Sequence, residues 1–288
     1  MPGPLKVQVK KGAILTPHFQ FKSDGTSAGA IAVNEMQAVC EQDYAAAKDI
    51  FGLGEVPRLP FVVTVDPSSG GAYHLSCEGT AIWLIPDDAA SLLVAETTEC
   101  FMALQGSIDC GLTAGEGLSR ALASEIRPFT VLMGLDGDVQ GCWDTRHDYW
   151  NDNSHDDQDQ WGNACGTLSW FYFRYQLGYT WRQCVSTKGQ SIGEVFTALT
   201  GMDSVQGFKD FVNVLKGAVA ADGTLVVPRS GNPFPIGVVP APPPPVPTPV
   251  PPPIPVPVPP PPPTPIPAPQ DNWFIRFLKW LLNLLFGA

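Results

Sequence analysis

The sequence is short of positive charge: 17 Lys+Arg stand against 28 Asp+Glu in 288 residues, a net charge of -11. That balance repels phosphate backbones and anionic lipid, which argues against nucleic acid as a partner of the body of the chain. There is no Gly-x-Ser-x-Gly elbow, no P-loop and no dinucleotide fingerprint, so serine hydrolase, nucleotidase and Rossmann dehydrogenase readings have no motif to stand on. The first residues, Met1-Pro2-Gly3-Pro4-Leu5-Lys6, lack the apolar stretch of a secretory signal, and nothing in the body reaches the length of a membrane-spanning helix. The seven cysteines form no C-x-x-C pair. An odd number in a chain without a signal predicts reduced thiols, with a Cys110 to Cys165 or similar bridge as the exception, and a location in the cytoplasm or peripheral to a membrane.

With 44% hydrophobic residues the chain can bury enough apolar surface to exclude wholesale disorder. Twenty of its 31 prolines fall between Pro240 and Pro269, where a backbone without amide donors cannot join a packed core. The remainder reads as an α+β protein. A short β run, Ala13-Ile14-Leu15, precedes a helix over residues 27–50, capped by Ser27 and stopped by Gly52 and Gly54. Residues 61–65 and 81–85 read as strands from their β-branched content and flanking turns. Pro86-Asp87-Asp88 then opens a helix to about Leu104, and a glycine-bearing loop leads to a second helix closed by Pro128. Residues 136–163 read as loop. Helices are expected at 167–177, 191–199 and 205–215. The expected division is an α+β lobe at 1–130, an acidic loop and helical lobe at 131–218, a connector at 219–239, a polyproline linker at 240–270 and an amphipathic helix at 271–288.

Within the helix over 92–102, Glu96 and Glu99 lie three residues apart and project from about the same face. Alone, such a pair reads as a solvated face. The next helix adds another carboxylate in Gly115-Glu116-Gly117-Leu118-Ser119-Arg120, past a glycine-rich loop. Together these segments resemble the glutamate-zinc branch of the zincin metallopeptidases. There a His-Glu-x-x-His helix supplies two zinc ligands and a general base, and a later helix supplies a glutamate ligand. Laid on this chain the motif falls on Ala95-Glu96-Thr97-Thr98-Glu99, so Glu96 matches the general base, Glu99 a ligand position and Glu116 the third ligand. Both histidines are missing. With Arg174-Tyr175-Gln176-Leu177-Gly178 added, the chain is similar to bacterial zincin relatives that lack the signature, over about 28–215. The resemblance implies a zincin-like lobe whose catalytic metal site has decayed or changed, leaving a pseudo-metallopeptidase and no expected cofactor beyond a divalent metal. His74 lies between the strands that precede the helix, where it either approaches Glu96 as a replacement ligand or makes a local hydrogen bond.

The acidic stretch holds Asp136, Asp138, Asp144, Asp148, Asp152, Asp156, Asp157 and Asp159 without the EF-hand spacing, and reads as a hydrated loop. Trp143, Tyr149 and Trp150, interleaved with Asp148, read as either a ligand-binding surface for sugars or cationic peptides or as lids on the core.

The linker should form a polyproline II spacer of about 90 Å at roughly 3.1 Å per residue. Beyond it, Asn272, Arg276, Lys279 and Asn283 step by four, three and four, which aligns them in one polar stripe on a helix. Trp273, Phe274, Phe277, Trp280, Leu281, Leu284 and Leu285 make the apolar remainder. Such a helix suits a membrane interface or a protein groove. The combined expectation is a non-catalytic, metallopeptidase-like binding module, ligand unknown, on a proline tether with a docking helix. A metal-dependent hydrolase with a carboxylate-rich site and a cargo protein with a docking tag are the alternatives.

Overall fold

The computed structural model describes residues 14–129, 134–145, 150, 160–228 and 230–237. Contacts divide the chain into a unit over Met1–Pro243 and another over Pro244–Ala288. The second unit lies outside the described residues, and with it the expected docking helix and its residues Trp273, Phe274, Arg276, Phe277, Lys279, Trp280, Leu281, Leu284 and Leu285.

The first unit is α+β, with a five-stranded mixed sheet and, among the described residues, eight α-helices. Strand β1 (Ile14–Leu15) pairs antiparallel with β2 (Phe19–Lys22), which runs parallel to β3 (Phe61–Val65). Strand β5 (Ala81–Leu84) lies parallel to β3, and β4 (Ala72–His74) closes that end antiparallel to β5. The alternation in β3 puts Phe61, Val63 and Val65 into the core while Val62 and Thr64 are less covered, the period of a strand with one buried face.

Helix α1 (Ser27–Phe51) supplies the crossover from β2 to β3. Its cap is Thr26, one residue before the expected Ser27; the Thr26 hydroxyl accepts from the Gly29 amide at 3.0 Å. Gly52 ends it in the left-handed conformation at φ 67°, which costs a residue without Cβ little. Helix α2 (Ala89–Gln105) packs against β4 and β5 as well as α1 and α3 (Thr113–Ile126). Arg127, just past α3, donates to both carboxylate oxygens of the buried Asp43 on α1 at 2.7 and 3.0 Å, a bidentate pair that fixes one helix against the other.

Two expectations for the helical part are corrected. Helix α4 (Gly134–Thr145) occupies ground read as loop, and α5 (Gln160–Phe171) begins seven residues before the predicted helix at 167. The backbone then widens to a π-turn, Tyr172–Gln176, before Gly178 at φ 82°. The turn orients the buried Gln176 side chain, which accepts from the Ile236 amide at 2.7 Å and donates to its carbonyl at 3.2 Å. Helices α6 (Trp181–Ser186), α7 (Ile192–Thr200) and α8 (Ser204–Leu215) follow. The main hydrophobic core joins Phe19 and Phe61 of the sheet, Phe101 of α2, Leu118 of α3, Trp170 of α5 and Phe211 of α8. Each large side chain so buried contributes roughly 1.5–3 kcal/mol.

The cysteines also depart from expectation. Cys77 is bonded to Cys110 and Cys142 to Cys165, so Cys110 and Cys165 take different partners, and Cys40, Cys100 and Cys184 are free and buried. The argument from reduced thiols to a cytoplasmic setting thereby falls. Among the described residues no helix is long and apolar enough to cross a membrane.

Candidate metal centre

Helix α2 has almost no wet face: every residue from Leu93 to Met102 is buried, including Glu96 and Glu99. The solvated-face reading of the two glutamates is therefore wrong. Their i, i+3 spacing turns both side chains toward the sheet edge. There β4, held in register by the pairing of His74 with Ile82, delivers an imidazole between them. His74 Nδ1 lies 3.4 Å from Glu96 Oε2, and Nε2 lies 3.1 Å from Glu99 Oε2. Side-chain exposure is 4% for His74, 8% for Glu96 and 7% for Glu99.

The contacts are close without being hydrogen bonds. Both ring nitrogens of His74 and Oε2 of Glu96 are buried with no aligned partner. Buried polar atoms are almost always paired, so this histidine, with one glutamate at each ring nitrogen and a hydrogen bond to neither, calls for a partner. Burial first, and then the charges of Glu99 and Glu116, push the Glu96 carboxyl well above its ordinary range. Glu116 stands in the first turn of α3, close enough to act on Glu96 across the gap between the helices.

The glycines around Glu116 explain how α3 comes so near. A Cβ on Gly117 would sit 2.6 Å from the Thr167 amide nitrogen on α5, and one on Gly115 would sit 2.6 Å from Cys110 Cα. Neither position admits a side chain, and α3 lies directly on α5 and on the 109–110 backbone as a result. The Cys77–Cys110 bridge ties that backbone to the β4–β5 connection. Cys110 Sγ, a Glu99 carboxylate oxygen and a His74 ring nitrogen lie within 4.8 Å of one another, and so do the donor atoms of Cys77, Asp109 and Cys110. Cys100, the cysteine inside the α2 motif, faces elsewhere: its thiol donates to the Gly79 carbonyl at 3.3 Å, and burial beside Glu99 and Glu96 pushes its pKa up.

Of the residues singled out in the sequence, His74, Glu96 and Glu99 come together, one glutamate at each ring nitrogen, and Glu116 lies near enough for its charge to act on Glu96. The aromatic residues of the acidic stretch do not join them. Trp150 is a core residue, not part of a recognition surface: it is 1% exposed, stacks on Phe211 at 5.2 Å and donates its indole N–H to Ser169 Oγ at 2.6 Å. Trp143 is half-buried against the same core. Asp148 and Tyr149 lie outside the described residues. The residue that sequence reasoning missed is Cys110; its only signal was His74-Leu75-Ser76-Cys77, which places a potential bridge partner three residues from the imidazole.

Among the described residues, the donor groups close enough to share one ion are His74, Glu99 and Cys110, and Cys77, Asp109 and Cys110; imidazole nitrogen and carboxylate oxygen suit a first-row divalent ion, and the sulfur of a disulfide adds nothing to them. Comparison with family models, with curated proteins and with solved structures finds no match for this chain.

Proposed function

We propose that the body is a divalent-metal-binding module on a metallopeptidase-like scaffold, without peptidase turnover. The observation that carries this reading is His74, buried, with no hydrogen bond at either ring nitrogen and two buried glutamates beside it. A buried ring nitrogen that meets neither a metal ion nor a charged carboxylate partner leaves an unmet hydrogen bond, at about 1–3 kcal/mol of desolvation. Enclosure supports the absence of turnover, because a scissile amide must reach the metal and the three side chains are each less than a tenth exposed. On the zincin resemblance Glu96 is the counterpart of the general base and Glu116 of the third ligand, and His74, from a strand, would stand in for the missing imidazoles.

The test is metal analysis of the purified full-length chain after equilibration with Mn²⁺ or Zn²⁺ and gel filtration. A stoichiometric ion in the parent, lost in both His74→Ala and Glu99→Ala while circular dichroism is unchanged, is the expected result; a parent that retains no ion overturns the reading.

A second reading, an atypical carboxylate-rich hydrolase, draws on the raised pKa of Glu96, the property of a general acid or base. Peptide hydrolysis by the metal-loaded chain that disappears in Glu96→Gln would establish it. The terminal segment completes the proposal: its polar stripe and aromatic ends fit an amphipathic helix that docks the module at a membrane interface.

A further inference from the structure

We propose that the Cys77–Cys110 disulfide is a redox lock on a second ligand set at this centre, in which the Cys110 thiolate joins His74 and Glu99 around a zinc ion once the bridge opens. The inference shares His74 and Glu99 with the metal-binding reading above and adds the sulfur.

The geometry points to Cys110 because its Sγ already lies within 4.8 Å of donor atoms on both His74 and Glu99. One ion at the middle of such a triangle reaches all three at bonding distance after small rotations. The imidazole is nine-tenths buried, has no hydrogen bond at either nitrogen and faces this point, so the cysteine is not a lone one. As half of a disulfide, Cys110 has no thiolate to give. As a thiolate it changes the character of the site, from hard oxygens around one nitrogen to a sulfur, nitrogen and oxygen set that zinc prefers. Donor atoms of Asp109 and Cys77 also lie within 4.8 Å of the same sulfur.

Access favours opening from one side. Cys110 is 5% exposed, whereas Cys77 is half-buried. A thiolate of an external dithiol attacks Cys77 Sγ; the new mixed disulfide forms at Cys77 as the old S–S bond breaks, and its electron pair leaves with Cys110 as thiolate inside the centre. The second thiol of the reductant then attacks the mixed disulfide, releasing Cys77 and closing a cyclic disulfide. Two electrons pass from dithiol to bridge. The Cys142–Cys165 bridge has both sulfurs on buried residues, so limited reductant spares it. Zinc bound to Cys110 in turn opposes re-formation of the bridge, since linkage between the two events is reciprocal.

Cobalt(II) titration of the full-length chain reads the sulfur directly, because thiolate ligation adds a charge-transfer band in the near ultraviolet that nitrogen and oxygen ligands do not. The samples are the oxidised parent, the parent reduced with a phosphine, Cys77→Ser and Cys110→Ser. The proposal expects the band in the reduced parent and in Cys77→Ser without reductant, with stoichiometric zinc retained by both through dialysis. It expects no band in the oxidised parent or in Cys110→Ser. The reduced parent decides the matter if Cys77→Ser does not fold. A reduced parent whose Cys110 is alkylated by iodoacetamide in the absence of metal yet shows no band with cobalt overturns the proposal, as does a band that survives in Cys110→Ser. If the oxidised parent binds cobalt through His74 and reduction adds no band, the redox inference fails and the metal-binding reading stands. If only the reduced chain binds, the reverse holds.

Discussion

Burial, and then the neighbouring carboxylates of Glu99 and Glu116, disfavour the ionised form of Glu96. Its folded pKa lies above the unfolded value of 4.5, so its contribution to stability is full below about pH 4.5 and is lost as pH rises toward the raised value. Glu96→Gln keeps the shape of the protonated acid and removes that loss. In chelator-treated protein at neutral pH the substitution is expected to raise the melting temperature by roughly 3–6 °C, the effect of about 1–2 kcal/mol in a domain of this size. A lower melting temperature by calorimetry would contradict the assignment of Glu96 as a buried acid. At this scale the carboxylates were legible, because i, i+3 spacing on a helix and a glycine-flanked glutamate on the next are local patterns. Whether they faced water was not, since burial on α2 comes from β4, α1 and α3 closing around it. His74 was legible as a candidate and undecidable in distance, and Cys110 carries no pattern that separates a ligand from a bridge.

Among the elements, α3 and α5 pack closely where Gly117 meets Gly166, two glycines without room for a methyl group. Gly117→Ala would press against the Gly166–Thr167 backbone, and relieving the clash would shift α3, which carries Glu116. We expect urea unfolding to show a loss of about 1–3 kcal/mol, the usual cost of overpacking. Metal retention in this variant should fall with it; unchanged stability would mean that the helices are looser than described. Helices α1, α2, α3, α7 and α8 were readable from apolar spacing, caps and glycine stops, within one or two residues at most ends. Helix α4 was not, because Asp and Gly in Gly134–Thr145 are poor helix formers and its support is tertiary, through the buried Val139 and the Cys142–Cys165 bridge. Strand β4 is three residues long, too short for any alternation to show, and exists through its pairing with β5.

For the whole molecule, composition separates a body of net charge -12 from a stretch after Pro240 of +1, carried by Asp271, Arg276 and Lys279. A tail whose role is docking should work without the body. Residues 272–288 fused to a fluorescent protein are expected to float with liposomes of mixed neutral and anionic lipid, and Arg276→Glu with Lys279→Glu should abolish flotation. Recovery with a protein partner, and none with lipid, would favour the cargo reading. The division between body and tail was plain in the sequence because proline distribution is a property of composition. The arrangement within the body was not, since one core draws on residues nearly 200 positions apart, from Phe19 to Phe211.

The enclosure of α2 also governs time. With no solvent-facing side between Leu93 and Met102, an ion held beside Glu99 would depart through local opening, as by β4 parting from β5. Its residence is then set by the frequency of local opening more than by the strength of its coordinate bonds. The metal found in a purified sample would accordingly record the ions present while the chain folded, and brief dialysis would not erase that history.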